Sequence, residues 1–97
     1  MDPLELIANQ REILKKKYGV RRIGIFGSFA VGRASKRSDV DVLVEFRKGR
    51  KKFDNYMDLK FFLEDMFKRD VDLVTEQALK PRLKSEILHQ VKYAPGL

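Results

Sequence analysis

A glycine–serine pair is the first feature of this sequence whose residue types suit chemistry on phosphates. Gly27 and Ser28 directly follow an apolar run over residues 20–26, which predicts a strand, and directly precede residues 29–32, which predict one helical turn. The backbone N–H groups of such a turn point outward from the end of the strand, where they can bind an anionic phosphate. The pair therefore indicates a phosphate cradle.

Two aspartates follow the glycine–serine pair. Ten residues separate Ser28 from Asp39, and Asp39 and Asp41 open an apolar run over residues 39–46 that predicts a second strand. Successive side chains of a strand alternate between its faces, so the two carboxylates point the same way, roughly 7 Å apart. They repel each other unless a cation lies between them, and Mg²⁺ or Mn²⁺ is the usual partner of carboxylate and phosphate oxygens. The aspartates therefore predict a metal site.

A third carboxylate comes from a short predicted strand over residues 70–74. Asp72 lies on the face opposite its apolar neighbours Val71 and Leu73, and Asp70 shares that face two residues earlier. We favour Asp72 as the third acid, with Asp70 as the alternative. Three carboxylates on adjacent strands can hold two metal ions for an in-line displacement at phosphorus.

Helices are predicted on either side of these strands. Asp2 is a helix-capping residue followed by Pro3 and Glu5, and the helix it opens runs to Tyr18 before Gly19 ends it. A later helix is expected to be capped by Asp54 or Asn55. Its core-facing stripe consists of Leu59, Phe62, Leu63, Met66 and Phe67. The last helix presents Leu83, Ile87, Leu88 and Val91 on one side and ends at Pro95–Gly96. The element order is therefore α-β-α-β-α-β-α.

Composition limits the classes of protein. At 97 residues, the chain is expected to form one domain over residues 1–97, too small for separate catalytic and substrate-binding domains. The absence of cysteine excludes disulfides and cysteine nucleophiles, and a single histidine argues against a structural zinc site. No long apolar stretch or leader sequence is present, which predicts a cytoplasmic protein without a membrane span.

The net charge of +7 is concentrated in one segment, which we call the basic loop. Its five positive charges come from Arg47, Lys48, Arg50, Lys51 and Lys52. Because this loop directly follows the carboxylate strand, we expect it to lie beside the site. It can attract RNA, a nucleoside triphosphate or an acidic partner, or it is only a solvated connection.

Together these motifs resemble a known family. Gly27–Ser28, the ten-residue gap, Ser38 directly before Asp39–Asp41, and the later Asp72 resemble the minimal nucleotidyltransferases (MNT proteins) of the DNA polymerase β superfamily. Many of these proteins are the antitoxin halves of HEPN–MNT toxin–antitoxin pairs. The resemblance covers about residues 20–75.

The resemblance also implies a fold. The expected fold class is α/β (α+β), with a small mixed three-stranded sheet in which the first strand is antiparallel to the others. Alternating helices and strands alone favour a parallel sheet, but the link between the first two strands is short for a crossover.

Many relatives carry arginine immediately before the second glycine, where this chain has Val31, and Arg33 or Lys36 is the candidate replacement.

The activity implied by the resemblance is a Mg²⁺- or Mn²⁺-dependent transfer of AMP from ATP to a hydroxyl group. Asp39 and Asp41 would hold the metal ions, and Asp72 would be the general base or a further metal ligand. The nucleotide-binding residues would be Gly27, Ser28, Arg33 and Ser38.

The implied acceptor is a tyrosine of a partner HEPN toxin, with which the chain would form a complex. One alternative is a non-catalytic antitoxin that neutralises a HEPN ribonuclease by binding, which the Val31 departure keeps open. Another is an RNA-binding accessory protein that uses the basic loop. The clustered carboxylates argue against both alternatives, because a pure binding surface has no need of clustered like charges.

Overall fold

A computed structural model describes residues 1–97 as one mixed sheet with helices packed against it. The helices are α1 (Pro3–Asn9), α2 (Arg11–Lys16), α3 (Phe53–Phe67) and α4 (Pro81–Gln90). The strands are β1 (Val20–Phe26), β2 (Val40–Phe46), β3 (Val71–Thr75) and β4 (Lys92–Tyr93). Within the sheet the strand order is β3-β2-β1-β4.

The mixed sheet is confirmed, with one strand more than predicted. β1 runs antiparallel to β2 and β4, whereas β2 and β3 are parallel. The additional strand β4 pairs Tyr93 with Gly24 and Lys92 with Ile25. Two residues are too few to show an alternating pattern, so this strand could not be predicted from the residue pattern.

The N-terminal helix begins as predicted but is interrupted. The Asp2 carboxylate accepts hydrogen bonds from the backbone N–H groups of Leu4 and Glu5, at 3.1 and 3.4 Å, which confirms the cap. The chain leaves helical geometry at Gln10, so the single predicted helix is two, α1 and α2. Ile7 of α1 and Leu14 of α2 are fully buried in the core.

The predicted caps of α3 are wrong. The helix begins at Phe53 without a side-chain cap, and Asn55 instead donates to the carbonyl oxygens of Tyr18 and Arg50, at 2.7 and 2.8 Å. Its stripe packs as expected: Leu59, Leu63 and Phe67 are buried, and Phe62 and Met66 are partly buried.

The last helix differs from its prediction at its end and in its burial. α4 ends at Gln90 and not at Pro95–Gly96, because the chain turns directly into β4. None of its residues is buried, and Leu83 is 48% exposed. No helix of this protein has both the length and the apolar character that crossing a membrane requires.

Candidate active site

Three chain segments meet at one end of the sheet, where β1 ends and β2 and β3 begin. Phe26, the last residue of β1, pairs with Asp41 of β2, and Asp41 pairs with Asp72 of β3. Neighbouring strands lie about 4.8 Å apart, so these positions form one short row across the sheet. Gly27 follows Phe26 directly, which brings the predicted cradle beside the two paired aspartates.

Gly27 is required for two reasons, one conformational and one steric. Its φ of +70° lies in the left-handed region that favours glycine, and it opens a short 3₁₀ turn over Gly27–Phe29. In addition, a Cβ atom at this position would overlap the carboxylate of Asp41. The cradle and the carboxylate strand are therefore in direct contact, which residue spacing alone does not show.

The Gly27 N–H group has a partner that sequence reasoning missed. It donates to Oε1 of Gln90, at 2.9 Å, from the C-terminal residue of α4. The two residues are 63 positions apart and meet because β4, directly after α4, pairs with β1. No local pattern could have indicated this contact. Gln90 thus links the end of α4 to the cradle.

The carboxylates influence one another. Asp41 is half-buried, whereas Asp39 and Asp72 are exposed. Burial raises the pKa of the Asp41 carboxyl above its ordinary value, and repulsion from Asp72 and then from Asp39 raises it further. The cluster is therefore electrostatically strained at neutral pH, and a nearby positive charge would relieve the strain.

The donor set fits a hard divalent cation that arrives with its substrate. No group of three or more histidine, aspartate or glutamate side chains is positioned to hold a metal ion, so Asp39, Asp41 and Asp72 do not form a complete ligand set by themselves. The available ligands are carboxylate oxygens, and Mg²⁺ in particular uses one or two protein carboxylates together with waters and substrate phosphates. Asp39 and Asp41 therefore suit a metal ion shared with a nucleotide.

The register distinguishes the two candidates for the third acid. Asp72 lies directly opposite Asp41 and raises its pKa. Asp70 instead precedes β3, where its carbonyl oxygen accepts from the Val40 N–H at 3.0 Å. This arrangement supports Asp72 as the third acid.

The other predicted nucleotide-binding residues lie on the loop between the cradle and β2. Ser38 Oγ accepts from the Ser35 N–H at 2.8 Å, within the loop itself. The Arg33 side chain is exposed, and its backbone N–H donates to the Ser28 carbonyl at 2.9 Å. Val31 is 50% exposed. Roles for Ser38 and Arg33 in nucleotide binding stay predictions.

The expectation that the basic loop lies beside the site is wrong. Phe46, at the end of β2, pairs with Val20 at the start of β1, and the Arg47 N–H donates to the Gly19 carbonyl at 2.8 Å. Phe46 lies five positions after Asp41 along the strand, which corresponds to about 17 Å. The basic loop therefore lies at the opposite end of the sheet from the carboxylates.

Positive charge near the carboxylates comes instead from a different part of the chain. A cleft of about 450 Å³ adjoins Asp39 and contains no apolar side chain in its lining. Its basic residues are Lys36, Arg37, Lys68 and Arg69. This cleft is open and polar, so it offers charged substrates access to Asp39.

Comparison with known proteins identifies relatives across nearly the whole chain. The nucleotidyltransferase domain family matches residues 7–94. The protein adenylyltransferase MntA of Thermococcus cleftensis is 38% identical over 88 residues, covering 91% of this chain and 87% of that protein. A candidate protein adenylyltransferase of Methanocaldococcus jannaschii is 35% identical over 91 residues, covering 92% of this chain and 91% of that protein.

Solved structures share the fold. A candidate minimal nucleotidyltransferase superposes with a TM-score of 0.77 at 36% identity, covering 95% of each chain. A tri-AMPylated Shewanella oneidensis HEPN toxin in complex with MNT antitoxin gives a TM-score of 0.66 at 22% identity, covering 97% of this chain and 73% of that chain. The second likeness is one of fold alone.

Proposed function

The chain belongs to the nucleotidyltransferase domain family, and from this premise we propose that it transfers AMP from ATP to a hydroxyl group of a partner protein. The observation that carries the proposal is the row at one end of the sheet, in which Gly27 touches Asp41 and Asp41 pairs with Asp72. A phosphate cradle and an acidic cluster are placed in direct contact there. Nucleotidyl transfer requires both.

The acidic cluster would hold Mg²⁺ or Mn²⁺. Asp39 and Asp41 would be the main ligands, because Asp41 touches the cradle and Asp39 lies close enough to Asp41 to raise its pKa. When bound, the metal ion supplies positive charge that offsets the charge of the phosphates and of the attacking oxygen. This explains why a strained, half-buried carboxylate is tolerated at Asp41.

The residues of the chain account for the remaining steps. The turn over Gly27–Phe29 binds the terminal phosphates through the backbone N–H groups that follow Gly27, whose own N–H is bonded to Gln90, and through the Ser28 hydroxyl. Asp72 accepts the proton of the incoming hydroxyl group. The hydroxyl oxygen forms a bond to the α-phosphorus while the bond to the bridging oxygen breaks, and pyrophosphate leaves. The product is an AMP ester of the acceptor.

A protein acceptor fits the size of the chain. All 97 residues form one sheet with its covering helices, which we take as a single domain, so an acceptor must bring its own binding surface. Relatives at 35 and 38% identity carry protein adenylyltransferase in their names. We propose a tyrosine of a cytoplasmic HEPN toxin as acceptor, with the modification acting as antitoxin.

A non-catalytic antitoxin is the second candidate. Val31 favours it, since an exposed apolar side chain stands at the edge of the cradle. RNA binding through the basic loop gains no support from the site, because that loop lies at the other end of the sheet.

Intact-mass spectrometry separates the candidates. The chain is incubated with ATP, Mg²⁺ and the product of its neighbouring gene as the candidate HEPN partner. We expect the partner to gain the mass of one or more adenylyl groups, and Asp39→Asn or Asp41→Asn to abolish the gain while complex formation persists. Near wild-type transfer by either variant would remove these aspartates from the mechanism. Inhibition of the toxin without any mass gain would favour the non-catalytic antitoxin.

A further inference from the structure

The loop that precedes Asp39, residues 31–38, is largely exposed, so packing does little to hold it in place. Residues 31–37 are all exposed, and Ser38 is only half-buried. Hydrogen bonds inside the loop are few and centre on Ser35. The Ser38 N–H donates to the Ser35 carbonyl at 3.2 Å, the Ser35 N–H donates to Ser38 Oγ at 2.8 Å, the Arg37 N–H donates to Ser35 Oγ at 3.3 Å, and the two serine hydroxyl oxygens lie 3.3 Å apart. Such exposed segments are normally the least ordered parts of a protein. Asp39 follows this loop directly.

One arginine holds the loop from outside. Nη1 of Arg69 donates to the carbonyl oxygens of Ser35, Lys36 and Ser38, at 2.9, 3.1 and 3.0 Å. These bonds span 31 to 34 positions of sequence. Since Ser38 precedes Asp39, Arg69 fixes the backbone from which the Asp39 side chain projects.

The guanidinium of Arg69 also lies against Phe29, a residue of the turn that forms the cradle. Its central carbon lies 5.1 Å from the centroid of the Phe29 ring, and Phe29 ends the turn that contains Gly27 and Ser28. Arg69 itself is half-buried and stands three residues before Asp72. One side chain therefore connects the cradle, the loop before Asp39 and the segment that leads to Asp72.

We propose that Arg69 is a positioning residue for the metal site. It holds residues 35–38 and thereby keeps Asp39 in a direction that lets it share a metal ion with Asp41. The metal part of this inference rests on the proposed function, whereas the ordering of the loop does not. Groups that orient metal ligands typically change metal affinity by about 10- to 100-fold when they are removed.

The test measures loop order and metal binding separately, in the whole chain. Hydrogen–deuterium exchange of residues 33–41 reports loop order without metal or nucleotide. A Mn²⁺ titration followed by electron paramagnetic resonance reports metal affinity without catalysis. Arg69→Ala is compared with Arg82→Ala, which removes the same charge from an exposed arginine of α4 whose side chain makes no hydrogen bond or ion pair.

We expect Arg69→Ala to accelerate exchange in the loop but not in β1, and to weaken Mn²⁺ binding about tenfold or more. Arg82→Ala should change neither quantity. Arg69→Lys keeps the charge but loses the planar guanidinium, so it should shift both quantities in the same direction and serves as the decisive variant if Arg69→Ala does not fold.

Unchanged loop exchange in the Arg69 variants, or Mn²⁺ affinity within about twofold of wild type, would overturn the inference, because the typical loss is tenfold or more. Lower thermal stability together with unchanged Mn²⁺ affinity would also overturn it and leave a merely structural role. If wild-type protein binds no Mn²⁺ either alone or together with an ATP analogue that cannot be cleaved between the α- and β-phosphates, the proposed function fails, and the exchange data still decide whether Arg69 orders the loop.

Discussion

Gly27→Ala provides a quantitative test of the contact between the cradle and the carboxylate strand. Gly32 and Gly49 are matched controls, since their φ values of +74° and +84° also lie in the left-handed region but an added Cβ meets nothing within 4 Å. At the two control positions, the left-handed conformation costs alanine about 1–2 kcal/mol of unfolding free energy. It regains about 0.4–1 kcal/mol from lost unfolded-state entropy. Each control should therefore lose about 1 kcal/mol of unfolding free energy.

At Gly27 the same backbone cost is joined by the overlap with Asp41. The carboxylate must leave its position, and an off-rotamer side chain adds about 0.5–1.5 kcal/mol. We expect Gly27→Ala to lose about 2 kcal/mol in urea denaturation in metal-free buffer, about twice the loss of the controls. In an Asp41→Ala background the loss should fall to nearly that of the controls, a coupling of about 0.5–1.5 kcal/mol. Equal losses at all three glycines, or additivity with Asp41→Ala, would refute the contact.

Three further perturbations have defined outcomes. The pKa of Asp41 is raised in the folded state, so its ionised form destabilises the metal-free fold as pH rises through that pKa. Asp41→Asn should therefore melt at a higher temperature than wild type at neutral pH, and the difference in Tm should vanish below the ordinary aspartate pKa of about 3.9. Lys68 ends α3 with a φ of 56°, so Lys68→Gly should stabilise the protein by about 1 kcal/mol in urea denaturation, and a loss of stability would contradict this reading. Replacing the charges of the basic loop with serine should flatten the salt dependence of partner association while the KM for ATP changes by less than about twofold, and a larger change would place the loop near the nucleotide.

Local patterns were sufficient for the elements that carry the chemistry. The Asp2 cap and the apolar runs of β1 and β2 predicted those elements, because side-chain period and capping act within a few residues. Asp39 and Asp41 fall at the start of their strand for the same reason. The turn at Gly27 and Ser28 was predicted from its place between a strand and a helical turn, but the contact of Gly27 with Asp41 depends on strand pairing.

Contacts between residues that are far apart in the chain could not be predicted from the sequence. Segments far apart in the chain are joined by the hydrogen bond from Gly27 to Gln90 and by the three hydrogen bonds from Arg69. No local sequence pattern indicates such bonds. The basic loop was misplaced because nearness in sequence to the end of β2 was taken as nearness to Asp41. The two ends of the seven-residue strand β2 lie on opposite sides of the domain.

Labelled ATP tests the central claim most directly. The chain, the proposed HEPN partner and Mg²⁺ are incubated with ATP labelled at either the α- or the γ-phosphate, and the partner is then separated and counted. The account predicts label on the partner from the α-phosphate and none from the γ-phosphate, because the bond that forms is to the α-phosphorus and pyrophosphate leaves. Label from the γ-phosphate, or none from either position while the toxin is still silenced, would contradict it.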